Sequence, residues 1–203
     1  MPHLPIGNRR SVLVPALWAA TVVLAASIAD AQGSSAWSAT GSLGLAPPLG
    51  GWNTDLDPGT EYRLSVSRWR PGSRWALAAE LTHHAFTFAD EALARRNDGS
   101  ARGFIRQTSL GLGVRYAVVE RSLLSSWVGG TVSLHSVRTS LWREDPSRSP
   151  VLLRDEHVPG LSAGVGLAVG PFRLKPVAEV RLRVVALRER PLVSVPIAVG
   201  LRF

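Results

Sequence analysis

From Trp37 to Phe203 apolar and polar residues alternate along this chain with a period of two, the period of a β-strand whose faces meet different surroundings. The last segment is the clearest. Val193, Val195, Ile197, Val199, Leu201 and Phe203 share one face, while Ser194, Pro196, Ala198, Gly200 and Arg202 share the other. Between Phe172 and Leu187, Leu174, Pro176, Ala178, Val180, Leu182 and Val184 stand opposite Arg173, Lys175, Glu179, Arg181 and Arg183. The same pattern runs through Leu161–Val169, Leu110–Tyr116 and Tyr62–Val66. It predicts eight strands, at 36–45, 60–69, 74–88, 104–116, 125–142, 156–169, 172–187 and 192–203. Each reaches the roughly nine to eleven residues with which a tilted strand crosses a bilayer.

The connections alternate in length. Long segments at 46–59, 89–103 and 143–155 hold clusters of Pro, Asp, Gly and Ser, whereas Arg70-Pro71-Gly72-Ser73 and Gly170-Pro171 are tight-turn sequences. Long loops at one end and short turns at the other are the habit of outer-membrane barrels. The connection at 188–191 is short and breaks the alternation. If the first turn pairs Trp69 with Arg74, then Val66 meets Leu77, Tyr62 meets Leu81 and Arg63 meets Glu80. If Val169 pairs with Phe172, Gly164 faces Val177 and Gly166 faces Lys175. Small residues opposite long ones suit a narrow interior.

The first 31 residues have another character. Arg9 and Arg10 precede an uncharged apolar stretch from Ser11 to Ile28, and Ala29-Asp30-Ala31 then places small residues where a signal peptidase reads them. The expected organisation is a cleavable signal peptide over 1–31 and a single barrel domain over 32–203. The chain has no cysteine, so disulfides contribute nothing to its stability. It carries 23 Lys+Arg against 15 Asp+Glu, but the cations are scattered singly rather than gathered in a stripe. Nucleic acid is therefore not an expected partner.

A soluble barrel would turn its charges outward. Three features favour a membrane instead. Trp37, Trp69, Trp75, Tyr116, Trp127, Phe172 and Phe203 fall at one end of the strands and suggest an interfacial girdle, with Tyr62, Phe104 and Trp142 as a weaker upper set. The polar face is rich in Gly, Ala and Ser, as a crowded lumen requires. An export signal also accompanies a chain that ends on Phe203.

The alternating stretch Ser194–Phe203, closed by an aromatic residue, resembles the terminal signal read by bacterial barrel-insertion machinery, which marks Phe203 as an assembly residue. The whole of 32–203 resembles the small OmpA/OmpX-type barrels. That resemblance implies an all-β fold, an eight-stranded antiparallel up-and-down transmembrane barrel in the outer membrane. It implies as partners outer-membrane lipids and lipopolysaccharide, with insertion machinery and periplasmic chaperones during assembly, and a monomeric state. It leaves activity open, because a fold of this kind serves many functions.

Several residue groups could carry chemistry. On the polar face, Glu61, Glu80 and Glu179 accompany Arg63, Arg115, Arg173, Lys175, Arg181, Arg183 and Arg202, with His84, His135 and Gln107 nearby. Such charges must be paired or wet, since an isolated buried ion is costly. The expected charge network is Glu61, Arg63, Glu80, Arg115, Glu179, Arg181 and Arg183, acting as a plug or, alternatively, lining a narrow channel for small solutes or ions. Ser133, His135 and Ser136, with Glu144 on the next loop, hold the residue types of a lipid A-modifying enzyme without its spacing. No catalytic role is expected of them, nor of His83. Asp55-x-Asp57-x-Gly59 lacks the remaining ligands of a calcium loop, and no cofactor or metal is expected. Loop arginines Arg95, Arg96, Arg102, Arg143, Arg148 and Arg154 suit contacts with lipopolysaccharide phosphates.

Overall fold

Alternation of this length can bury one face only if the sheet curls until its edges meet, because open edges leave backbone groups unpaired. The computed structural model, which describes residues 37–96, 100–143, 151–171 and 173–203, shows that closure. The N-terminal segment 1–31, Glu144, Arg148 and Phe172 lie outside the described residues. The strands are β1 (Trp37–Ala46), β2 (Pro48–Leu49), β3 (Gly59–Trp69), β4 (Trp75–Thr87), β5 (Ser100–Glu120), β6 (Leu124–Arg143), β7 (Val151–Val169), β8 (Lys175–Val185), β9 (Leu192–Ser194) and β10 (Ile197–Arg202). A short helix, α1 (Asp90–Arg96), sits in the connection between β4 and β5.

These ten segments occupy eight positions in the ring. β1 and β2 are one strand interrupted at Pro47, and β9 and β10 are one strand interrupted at Val195-Pro196. Proline has no N–H to give a ladder. The carbonyls remain in use across both breaks: Val195 N–H donates to Pro47 O (3.0 Å) and Arg181 N–H to Pro196 O (2.9 Å). Neighbouring strands are antiparallel throughout, and β10 pairs with both β8 and β1 to shut the ring. Phe203 exchanges hydrogen bonds with Ala39, extending the closing ladder to the last residue (2.8 and 3.3 Å).

The register fixes the barrel's size. Passing from partner to partner, Thr60 leads to Leu45, Ile197, Val180, Val165, Val128, Tyr116 and Trp75, and Trp75 O accepts from Arg70 N–H. One circuit thus moves from Thr60 to Arg70, a shear of ten residues. With eight strands this gives a tilt of about 40° and a backbone radius of about 8 Å, enough for side chains and little else.

Both expected registers need correction. Trp69 pairs with Ala76, so Arg63 lies opposite Thr82 and Glu80 opposite Ser65, while Val66 meets Ala79 and Tyr62 meets His83. The turn has moved by one residue: Ser73 N–H donates to Arg70 O (3.0 Å) about Gly72, whose φ of 69° suits glycine alone, and Arg70 itself pairs with Trp75. At the other tight turn Gly164 faces Arg181 and Gly166 faces Glu179. Each slip is an even number of residues in total, so every side chain keeps its face.

Strands β5, β6 and β7 are 21, 20 and 19 residues long, far more than a bilayer needs, and they take in residues 100–103 of the connection expected at 89–103 and residues 143 and 151–155 of that expected at 143–155. Their polarity inverts partway up. Low on the wall Leu77, Leu110, Leu112, Val132, Leu134 and Leu161 point outward and are more than half exposed. Above a polar outward row of His83, Thr108, Ser136 and His157 come Arg106, Arg138 and Asp155, with Arg138 and Asp155 paired at 3.0 Å. At that height the inward side chains become Phe86, Ile105, Val137, Val158 and Val185, all buried. An apolar exterior below and a charged one above is what a wall leaving a membrane requires.

Candidate functional site

The interior is built in three tiers. The middle tier is ionic. Arg63 on β3 donates to Glu61 through Nε (2.8 Å) and reaches Glu179 on β8. Arg181 holds Glu80 with two hydrogen bonds (2.6 and 2.8 Å), and Arg115 on β5 gives Glu80 a third (3.1 Å) and Ser65 a fourth (2.9 Å). Glu179 stands 3.5 Å from Arg181 and 3.9 Å from Arg115, and Glu61 stands 3.5 Å from Arg183. All seven side chains of the expected network point inward and are buried. Each carboxylate meets at least two arginines, the condition under which buried ions are tolerable.

Glycines make room for this lattice. A Cβ on Gly164 would strike Arg181, and one on Gly166 would enter the Trp127 ring. Voids of about 10 Å³ each lie on either side of Glu80 among the described residues, one beside Arg115, Trp127 and Arg181, the other among Thr82, Ser109, Thr131, Ser133 and Arg183. Each has room for one water.

The tier nearest the termini corrects the aromatic girdle. Trp127 is only 3% exposed and points inward with Trp69, sharing face parity with His135 and with Arg63 respectively. The Arg202 guanidinium lies over both indoles, at 5.1 and 5.5 Å from the ring centres, and Trp69 donates to Ser38 Oγ (3.3 Å). Trp37 and Trp75 do face outward; Trp75 packs on Tyr116 at 4.9 Å and Arg68 lies over Trp37. Arg173 is exposed in the turn before β8, and Lys175 donates to Ser122 O (3.2 Å), so neither joins the ionic tier.

The third tier is apolar and has no counterpart in the expectations from sequence. Phe86, Ile105, Val137, Leu141, Val158, Val185 and Leu192 from the wall pack with Trp52, Leu56, Phe88, Leu93 and Leu187 from the connections. Trp52 is anchored by its Nε1–H donating to Pro191 O (3.0 Å), and Leu56 bridges to Phe88. The segment 46–59 is therefore a folded cover over the ionic tier. Its Asp55 pairs with Arg95 (3.0 Å) and with Arg190, which stacks on Trp52 at 4.1 Å.

The residues considered for catalysis are separated. Ser133 Oγ and His135 Nε2 are 2.8 Å apart inside the lumen, where His135 is fully buried. Ser136 lies on the outer face, paired with Thr108 and His157. His83 is also outward, with Nδ1 3.0 Å from Thr108 Oγ1. No cluster of three or more His, Cys, Asp or Glu suited to a metal occurs among the described residues.

No protein-family model and no curated protein matches the chain. Solved structures do match in shape. Ail, the attachment invasion locus protein of Yersinia pestis, is 14% identical over 82% of this chain and 98% of its own, with a TM-score of 0.49. A major outer membrane protein from Thermus thermophilus is 13% identical over 82% and 98%, with a TM-score of 0.47. The N-terminal β-barrel domain of Pseudomonas aeruginosa OprF is 12% identical over 83% and 98%, with a TM-score of 0.44. The closed ring of eight antiparallel strands, its shear of ten and its apolar lower belt make this chain an eight-stranded antiparallel up-and-down β-barrel, similar in fold to these small outer-membrane barrels.

Proposed function

We propose that this chain is an exported, non-enzymatic integral protein of a Gram-negative outer membrane, with a closed lumen and a working surface at its extracellular end. The observation that carries this reading is the three-tier interior. An ionic lattice holding water-sized voids beside Glu80 lies between an arginine–indole floor and an apolar cover. A hydrated ion needs a continuous polar path, and both outer tiers interrupt it. Against an enzyme, Ser133, the hydrogen-bond partner of His135, faces a void too small for any lipid substrate.

The partners fit the location. Lipids cover the apolar belt, lipopolysaccharide phosphates meet outward Arg106 and Arg138 above it, and insertion machinery reads the strand ending at Phe203. The competing reading, a narrow channel, draws on the excess of arginines over carboxylates in the lumen. Planar-bilayer recording with the refolded protein separates the two: the closed-lumen reading requires no steady conductance. Lipid A mass spectrometry after expression should show no new species; a deacylated or acylated product would restore the enzyme.

A further inference from the structure

The extracellular mouth holds a cup of about 360 Å³, at the small end of the range for ligand sites. Its floor is Phe88, Ile105 and Leu187, and its walls include Arg95, Arg154 and Glu189. Glu156 of β7 also lines it. The Glu156 side chain is 6% exposed, and neither carboxylate oxygen has a hydrogen-bond partner among the described residues. A buried carboxylate without donors is costly, and in folded proteins such atoms are ordinarily satisfied.

What Glu156 lacks is donors, not countercharge. Arg154 Nη1 lies 3.6 Å away and Arg188 Nε 3.8 Å away, close enough to neutralise it and too far to hydrogen-bond. Arg154 is itself committed to Glu189 at 2.9 Å, and Arg95 to Asp55 at 3.0 Å. Each of Arg95, Arg154, Arg188 and Arg190 already lies within 4 Å of Asp55, Glu156 or Glu189, so a cationic ligand would face Arg154 and Arg188, and an anionic one would have to break existing pairs. Neutral hydroxyl groups satisfy the site without disturbing its charge. Their carbon skeleton would rest on the apolar floor, and their lone pairs could accept from Arg154.

We infer that this cup binds one or two rings of a neutral saccharide, with Glu156 as the acceptor for its hydroxyls. The inference rests on reading the extracellular end as the working surface. Two sources share that chemistry, free sugars and the glycan of the cell's own envelope.

The test uses the full mature barrel in lipid nanodiscs and saturation-transfer NMR. One arm offers maltose, lactose and cellobiose, a second the neutral hexose portion of the producing strain's lipopolysaccharide core, freed of phosphate and acidic sugars, and a third a fully sulfated disaccharide. Binding in either of the first two arms, lost by about tenfold or more in Glu156→Gln, is expected. The arm that binds identifies the source. Arg121→Gln, exposed in the turn at the opposite end of the barrel, should bind as the wild type does, and unchanged heat-modifiable mobility will show that Glu156→Gln folds. Binding of the sulfated sugar alone, neutral-sugar binding indifferent to Glu156→Gln, or no binding in any arm would each overturn the inference. None of these outcomes touches the closed lumen, which conductance tests separately.

Discussion

Replacing Glu80 with Ala removes the residue at which the ionic tier is most densely joined. Glu80 accepts three charge-assisted hydrogen bonds, two from Arg181 and one from Arg115. Without it, the carboxylate left beside Arg181 and Arg115 is Glu179, at 3.5 and 3.9 Å, and Arg115 keeps its hydrogen bond to Ser65. Stranding buried charges in this way costs about 3–5 kcal/mol in a dry interior. Glu80 also separates the two water-sized voids, so its loss joins them and admits water beside the freed guanidiniums. The expected cost is therefore near the lower end, about 3 kcal/mol. The double variant Glu80→Ala/Arg181→Ala should recover about half of that, because an absent pair costs less than an unpaired charge. Urea unfolding in phospholipid vesicles, followed by tryptophan emission and heat-modifiable mobility, measures both. A loss below about 1 kcal/mol for Glu80→Ala would show that water already screens these charges and would refute the dry lattice.

Gly166→Val should prevent folding or destabilise the barrel by about 3 kcal/mol, since its side chain would enter the Trp127 ring; urea titration reads the loss. Phe203→Glu should leave protein exported but poorly inserted, seen as lost heat-modifiable mobility, because the closing ladder ends at that residue. Proteinase K added to intact cells should cut within 89–103 or 143–155 and spare the 70–73 and 170–171 turns; cleavage at those turns in intact cells would invert the topology. Segment 46–59, pinned through Trp52 and Leu56, should be cut more slowly than the other two long connections.

The faces of the strands were legible because a side-chain period of two survives any even slip in register. Glu61, Arg63 and Glu80 point inward whether pairs follow the expected turn or the observed one. Their partners were not legible. Whether Arg70 belongs to the turn or to the ladder decides which residue faces Arg63, and that depends on the backbone about Gly72. The inward tryptophans were readable in principle, as Trp127 lies an even number of residues from His135 and Trp69 from Arg63. Position near a strand end weighed more than parity and misplaced them. The apolar tier also left a trace: β4 continues Glu80, Thr82 and His84 with Phe86, and β8 continues Arg181 and Arg183 with Val185. Such a reversal on one face marks the height at which a barrel leaves its membrane. Glu156 carried no comparable mark, because its lack of donors depends on the strands and connections that surround it.

Solvent access to the middle of the lumen tests the closed interior most directly. The chain has no cysteine, so a single Ser109→Cys places one thiol beside the void lined by Glu80 and Arg183. Ser109 is 5% exposed, and Ser→Cys is a small change there. A charged, membrane-impermeant thiol reagent applied to the folded barrel in vesicles or in detergent should leave this cysteine unmodified, while an Asp57→Cys control on the exposed connection reacts quickly. Unfolding in urea should then make the Ser109→Cys thiol fully reactive. Rapid modification of that thiol in the folded barrel would mean an open aqueous path and would contradict the account.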